Sequence, residues 1–302
     1  MFAAQTKDSA NNRISQISIT SALKTLLSVR EIRKAGFKLI KTINSVFFKP
    51  QFLSRIGLNR KQVIRVDHPL DSLIPFSPAY VKDYLYFTHL WVKSLAFLYM
   101  EFGREALGEI LSFISEIEGY YAKAFQIYGR YQSTTRRPAF AGGPPFYMIR
   151  LLDPHLHCLP SLHVIIVSFA YYRISAVLDK LAQNMEDYRA EKDHLFNMAV
   201  RIINSVLFTK QHSVNCIPAG LFMLQSTTPD FTADISGTLL DNILRRPEIP
   251  EEIREKILGY MKNLISQFSR QKAYSASEDI LIDFLENYPP AESDIDTKHI
   301  FC

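Results

Sequence analysis

The spacing of apolar positions along the chain is mainly helical. Within residues 21–48, apolar side chains recur every three or four residues, which predicts an amphipathic helix. The same spacing predicts helices over 80–102, 105–125, 160–181, 186–208, 250–268 and 280–285. Glycine is scarce, with 11 copies in 302 residues, which also favours helices. The sequence therefore predicts an all-α fold.

Turn residues and changes in composition divide the chain into three parts. Residues 1–79 are predicted to form an N-terminal helix and, from 50 to 78, an irregular connection. Residues 80–228 form the predicted helical core, and 229–302 a helical C-terminal extension. Proline, glycine and hydroxyl residues cluster in 130–154, which predicts a functional loop.

Composition and charge narrow the class of protein. Hydrophobic residues make up 47% and charged residues 22%, as in ordinary soluble globular proteins. A net charge of +5 fits an anionic partner, but no basic arm suggests nucleic-acid binding. Three cysteines form no disulfide framework, which favours a reducing, cytoplasmic location. The longest apolar run, 164–178, contains two tyrosines and Arg173 and is predicted to be a buried core helix rather than a membrane span.

The predicted helix over 21–48 is strongly basic and has two interpretations. It is either a surface helix packed on the core, or a helix that lies peripherally on an anionic membrane. Its cations are Lys24, Arg30, Arg33, Lys34, Lys38 and Lys41.

The densest group of reactive side chains lies between Asp153 and His163. These eleven residues include three histidines, a cysteine, an aspartate and two prolines. Pro160 is predicted in the first turn of the following helix, where its missing N–H costs nothing. Ser161 and His163 would then lie at the helix N-terminus, where free N–H groups and the macrodipole favour an anion. This predicts a phosphate site beside an ionisable imidazole.

Three short segments, taken in order, resemble the signature motifs of the phosphatidic acid phosphatase type 2 and haloperoxidase superfamily. The likeness covers roughly 80–224 and is closest to a branch with Pro-Ser-Leu-His in the second motif. It implies a helical bundle of the acid phosphatase type, which needs neither metal nor cofactor. The segments are Arg130 through Arg137-Pro138, then Pro160-Ser-Leu-His163, then Ser205 with Lys210, His212 and Ala219-Gly220.

The resemblance also implies a mechanism on a phosphorylated small molecule or lipid. His212 corresponds to the nucleophile that forms a phosphohistidine, and His163 to the general acid. Arg130 and Arg137 match the residues that clamp the phosphate through paired guanidinium donors. The hydroxyl of Ser161 and the N–H of Leu162 would add further donors.

The third motif departs from the family pattern at two positions. Val206 stands where the family has an arginine, and Lys210 is the predicted substitute cation. Cys216 stands where the family has the aspartate that orients the nucleophile, so either Cys216 or the adjacent Asn215 would take that role. Pro218 is expected to disfavour helix at the residue before it.

Several alternatives remain open at this level. The chain could be a catalytically silent relative that binds a phosphorylated ligand or a partner. His155, His157 and Cys158 could begin a zinc site, or could shape the entrance to the pocket. Cys216 could act as a thiolate nucleophile beside Lys210. His163 and His212 could simply be core histidines.

Overall fold

The computed structural model describes residues 12–59, 61–138 and 143–289, and it is all-α, which confirms the predicted fold class. Short 3-10 turns and one π-helical turn, Asn44–Phe48, join the α-helices. The α-helices are α1 Arg13–Gln16, α2 Ile19–Ser28, α3 Arg30–Ile43, α4 Lys49–Arg55, α5 Val81–Leu85, α6 Phe87–Phe102, α7 Leu107–Arg130, α8 Pro144–Leu152, α9 Leu162–Leu181, α10 Arg189–Phe208, α11 Cys216–Thr227, α12 Ala233–Asn242, α13 Glu251–Gln271 and α14 Ser277–Glu286.

Helix α9 is the centre of the fold. It packs against α6, α7, α10 and α11, and Phe169 in its middle stacks on Phe113 of α7 at 5.0 Å between ring centroids. Among the described residues, α9 is the one helix long and apolar enough to cross a membrane. Other elements bury 61% of its apolar stretch, as expected for a core helix. This agrees with the prediction for 164–178.

The prediction of one continuous helix over 21–48 is wrong. It is divided at Val29, whose extended backbone separates α2 from α3, and α3 continues through the π-helical turn into α4. The inner residues of α2 and α3 pack on α6 and α7, as predicted for a surface helix. These buried side chains include Ala22, Leu26, Ile32 and Leu39.

Two regions predicted to be irregular contain regular structure. Residues 50–78 include most of α4 and strand β1, Val63–Arg65, while 130–154 includes β2, Gln132–Thr134, and α8. The two strands pair in parallel, with Ile64 opposite Ser133. The apolar pattern could not show this pairing, because each strand has three residues and the partners lie about seventy positions apart. The strand pair holds residues 130–134 against the segment that precedes α9, to which Ser133 is hydrogen-bonded.

The C-terminal extension belongs to the same hydrophobic core as the rest of the molecule. Helix α13 packs on α11, and α14 packs on α7. The buried cluster runs without a break from Ile14 through Phe169 to Leu281, so all three predicted parts contribute to one core.

Helix α11 approaches the N-terminus of α9 closely, and Gly220 permits this approach. A Cβ atom at Gly220 would lie 3.1 Å from the Ser161 carbonyl oxygen and 3.3 Å from Cβ of Val164. Such contacts are too short for well-packed atoms, so a larger side chain would push the two helices apart.

We therefore expect Gly220→Ala to lower the free energy of unfolding by about 1 kcal/mol. The matched control is Gly119→Ala, because Gly119 is exposed in the middle of α7 and nothing lies within 4 Å of a Cβ there. The control should raise the free energy of unfolding by about 0.5 kcal/mol through helix propensity alone. Urea unfolding measures both; a gain in both variants would contradict the close approach.

Candidate active site

The N-terminus of α9 forms one wall of the site. The helix begins at Leu162, with Ser161 as its N-cap, and Ser161 Oγ accepts a hydrogen bond of 3.4 Å from the N–H of Val164. The prediction that Pro160 lies in the first turn is wrong, because Pro160 precedes the cap and follows a cis peptide bond. Serine is a strong N-cap former, so it takes the position at which the helix starts. Ser161 and His163 lie at the helix N-terminus as predicted.

The pocket in front of this helix brings both predicted catalytic histidines together. The ring centroids of His163 and His212 are 5.7 Å apart, although 49 positions separate them in the sequence. Phe47, near the end of the π-helical turn, closes one side of the pocket, and no sequence motif marks it. The lining residues are Phe47, Asp153, His155, His157, Cys158, Leu162, His163 and His212.

The protonation of His212 follows from its two partners. Its Nδ1 lies 3.0 Å from the carbonyl oxygen of Cys158, which can only accept, so Nδ1 carries the hydrogen in the neutral ring. Its Nε2 therefore holds the lone pair and lies 3.3 Å from Ser161 Oγ. Burial lowers the pKa of His212 to about 4. At neutral pH the ring is uncharged, and its unprotonated nitrogen, Nε2, can accept a hydrogen bond from Ser161.

The predicted orienting residues do not hold this ring. The side-chain amide of Asn215 donates to the Val66 carbonyl and to Tyr288 Oη, and its oxygen accepts from Tyr260 Oη, so that prediction is wrong. Cys216 contributes its main-chain carbonyl, which accepts from the N–H of Ser161 at 3.3 Å. Burial also raises the pKa of the Cys216 thiol well above its usual value, which argues against a thiolate nucleophile.

His163 is held between two aromatic rings. Its imidazole stacks on Tyr84 at 4.4 Å and lies tilted against Phe87 at the same distance. Burial, together with the neighbouring His212, holds the pKa of His163 well below its usual range. His163 is therefore uncharged at neutral pH, and an anion beside it would favour its protonation.

Arg137 is the predicted clamp residue that lies beside the pocket. Its Nη2 is 3.6 Å from Asp153 Oδ2, and its Nη1 donates to the Asp153 carbonyl at 3.3 Å. Its Nε and Nη2 are buried and have no hydrogen-bond partner within the described structure. Its charge also contributes to the low pKa of His212, after the larger effect of burial. Arg137 therefore has donors to offer an anion, but an acidic neighbour holds it.

The other two predicted phosphate-binding cations lie elsewhere. Arg130 is the exposed last residue of α7, and its guanidinium lies 5.8 Å from the ring centroid of Tyr131. It is not among the residues that line the pocket, so its clamp role stays a prediction. Lys210 Nζ donates to the Asp71 carbonyl at 2.6 Å and to the Ile74 carbonyl. Lys210 thus ties the loop between α10 and α11, here called the third-motif loop, to the turn at 69–73, and it does not line the pocket.

His155, His157 and Cys158 shape the pocket, as one of the predicted alternatives had it. His155 Nε2 is 2.8 Å from Thr135 Oγ1, and the Cys158 sulfur is 3.4 Å from His155 Nδ1. His157 stacks on Tyr128 at 4.2 Å, and burial lowers its pKa to about 3. Within the described ranges, no group of three or more His, Cys, Asp or Glu side chains is arranged to hold a metal ion.

The pocket is small in this conformation. It has room for about one water molecule. A phosphoryl group therefore enters only if a wall moves. Phe47 forms one wall and lies in a π-helical turn rather than in a regular α-helix. The centroid of its ring is 5.4 Å from that of His157.

Comparisons with protein-family models, with curated proteins and with solved structures found no match. The superfamily resemblance of the three motifs therefore stays a prediction.

The neutral state of His212 predicts a loss of stability in acid. The unfolded chain protonates this ring at its ordinary pKa of 6.5, whereas the folded chain keeps it neutral down to about 4. Between these values the unfolded state binds more protons, so the free energy of unfolding falls as the pH falls. The difference of about 2.5 pKa units corresponds to about 3 kcal/mol at most.

We expect His212→Gln to make this pH dependence shallower, with the other buried histidines supplying the remaining slope. Urea unfolding at about pH 7 and about pH 4.5 measures it. An equal loss of stability in wild type and variant would show that the folded protein protonates His212 without a penalty.

Proposed function

We propose that this protein is a phosphatase or phosphotransferase that acts on a phosphomonoester or a lipid phosphate through a phosphohistidine at His212. One observation supports this most directly. The Cys158 carbonyl fixes the hydrogen of His212 on Nδ1, and Nε2 lies at the N-terminus of α9, opposite His163. A nucleophilic nitrogen, a second imidazole and a helix N-terminus are the groups that metal-independent phosphoryl transfer needs.

In the first step, Nε2 of His212 attacks phosphorus and the bond from phosphorus to the leaving oxygen breaks. His163 donates its proton to that oxygen, so the product leaves as a neutral alcohol. The imidazole of His212 becomes positively charged as the new bond forms, and the Cys158 carbonyl stabilises this charge at Nδ1. In the second step, neutral His163 accepts a proton from a water molecule, or from an acceptor alcohol, whose oxygen attacks phosphorus. The bond from phosphorus to Nε2 breaks, and its electron pair returns to the imidazole of His212.

The charge of the bound substrate would set the protonation state of His163, which takes its proton from solvent. His163 is neutral in the empty pocket, since burial lowers its pKa. A phosphate dianion placed between the two imidazoles favours the protonated ring and raises that pKa again. The general acid would then be charged only when substrate is bound.

Hydrogen-bond donors at one end of the pocket would stabilise the negative charge of the transition state. Ser161 Oγ and the first N–H groups of α9 lie next to His212. Arg137 has two nitrogens that make no hydrogen bond, Nε and Nη2, although Nη2 is ion-paired with Asp153. With Arg130 and Lys210 engaged elsewhere, this set has fewer cations than the family pattern implies. We expect slow turnover for this reason.

A second candidate function is binding of a phosphorylated ligand without turnover. The observations that favour it are the closed pocket and the pairing of Arg137 with Asp153. Measured binding of vanadate without hydrolysis of any phosphomonoester would favour this candidate over the enzyme.

The first test is hydrolysis of a generic phosphomonoester and of phosphatidic acid by purified variants. His212→Ala should lower kcat to the background, and His163→Ala should lower it roughly 100-fold or more for a substrate with a poor leaving group. The matched control is His89→Ala, because His89 lies in α6 away from the pocket lining.

Chemical trapping then identifies the nucleophile. Denaturation during turnover of labelled substrate should leave an acid-labile, base-stable label on His212, as expected for a phosphohistidine. Ser161 Oγ is only 3.3 Å from His212 Nε2, so a serine nucleophile with a histidine base is the competing chemistry. An acid-stable label on Ser161 would therefore contradict the proposal.

The ion pair between Arg137 and Asp153 predicts opposite effects for two substitutions. Asp153→Asn removes the charge that holds Arg137, so vanadate or phosphate should bind on the order of 10-fold more tightly. Arg137→Ala should weaken binding by a similar factor. Isothermal titration measures both, with Arg136→Ala, an exposed neighbour, as the control. Tighter binding by Arg137→Ala would exclude a role for Arg137 in holding the anion.

A further inference from the structure

Helix α3 has an outward side, here called the basic face, that is both cationic and apolar. All of its side chains are exposed, whereas Ile32 and Leu39 of the same helix are buried. The residues of the basic face are Arg30, Arg33, Lys34, Phe37, Ile40 and Lys41.

The apolar residues of this face are large and unusually exposed. Phe37 and Ile40, about one turn apart, are 61% and 62% exposed. The end of α2 lies beside the basic face, where Arg33 donates to the Leu27 carbonyl at 2.7 Å. Leu23 and Leu27 are themselves 44% and 45% exposed. A surface helix that only packs on a core has no need of four large apolar side chains in water.

The charges of this surface have one sign. The basic face carries four cations and no carboxylate. The nearest acids lie on its flanks and are already paired: Glu31 is 4.0 Å from Arg104, and Glu118 is 2.9 Å from Lys38. The positive potential of the face is therefore not cancelled by its own helix or by α7.

We propose that the basic face docks the protein on an anionic lipid bilayer. A bilayer surface is the partner that matches both properties at once, because apolar side chains enter the headgroup boundary while the cations contact lipid phosphates. A nucleic acid would satisfy the cations but would leave Phe37, Ile40 and the α2 leucines largely in water. An acidic protein partner is an outcome that the experiment below separates.

The position of the basic face connects it to the pocket. Helix α3 runs directly into the π-helical turn that carries Phe47, a pocket wall. Phe37 and Phe47 are ten residues apart, about 15 Å along the helix axis. If the proposed function holds, docking would bring the pocket within reach of lipid headgroups. The docking itself does not depend on that function.

The experiment is sedimentation of the full chain with vesicles of phosphatidylcholine alone or mixed with phosphatidylserine. Wild type should bind only the mixed vesicles, and added salt should weaken binding. Lys34→Glu/Lys41→Glu should weaken binding on the order of 30-fold or more, because each lost cation lowers the affinity about fivefold. Phe37→Ser/Ile40→Ser should weaken it while leaving the charge unchanged.

The matched control is Tyr274→Ser/Lys256→Glu, which removes a 90% exposed aromatic and reverses an exposed lysine in the C-terminal extension. It should bind as wild type does, and urea unfolding checks that every variant is folded. Equal binding by all variants, or no binding to the mixed vesicles, would overturn the proposal, and an acidic protein partner would then be the remaining match for the cations. His212→Ala should still bind vesicles, so failure of the catalytic proposal and failure of docking give different results.

Discussion

The site depends on one contact between two segments that lie far apart in the chain. The loop after α10 docks on the segment before α9, where Nδ1 of His212 donates to the Cys158 carbonyl and the N–H of Ser161 donates to the Cys216 carbonyl. Both bonds use main-chain acceptors inside the protein, where an unpaired polar group is costly. Gly220 lets α11 come close enough for both to form. This contact sets the tautomer of His212 and its distance from His163.

The Cys158 carbonyl can orient His212 because hydrogen bonds fix the segment that contains it. The N–H of Cys158 donates to the Ser133 carbonyl at 3.2 Å, and the next N–H, of Leu159, donates to Ser133 Oγ at 2.8 Å. Tyr128 Oη donates to the Pro160 carbonyl at 2.6 Å. The small β1–β2 pair thus contributes to the site, because it fixes Ser133. Ser133 in turn fixes the peptide of Cys158, whose carbonyl orients the His212 ring. A carbonyl held in this way can replace a carboxylate in orientation, although it stabilises an imidazolium less because it carries no full charge.

The sequence predicted what depends on local pattern and missed what depends on long-range main-chain contacts. Helical periodicity indicated the all-α class, and a Ser-Leu-His segment before an apolar run indicated a helix N-terminus. The Cys158 carbonyl has no residue signature, so the sequence predicts an orienting side chain at Cys216 or Asn215 instead. Arg130 fits a motif by spacing but ends α7 on its exposed side. Pro218 was expected to oppose helix at Ile217, yet α11 begins at Cys216 and includes both, because a first-turn proline lacks an N–H that has no partner there anyway.

The Asn215 network gives the C-terminal extension a role in this arrangement. Tyr260 of α13 and Tyr288 after α14 both bond to its side chain, and Tyr288 Oη also donates to the Asp67 carbonyl at 2.7 Å. The C-terminal extension therefore fixes the third-motif loop through Asn215, and the Cys158 carbonyl fixes the same loop through His212. A loop fixed from both sides cannot itself be the wall that moves to admit a phosphoryl group. If the proposed function holds, the wall that moves would be the one formed by Phe47, which lies within the helical segment that also carries the basic face. Docking on a bilayer and opening of the pocket would thus act on the same segment, which makes that segment the natural place for a lipid surface to influence the histidines.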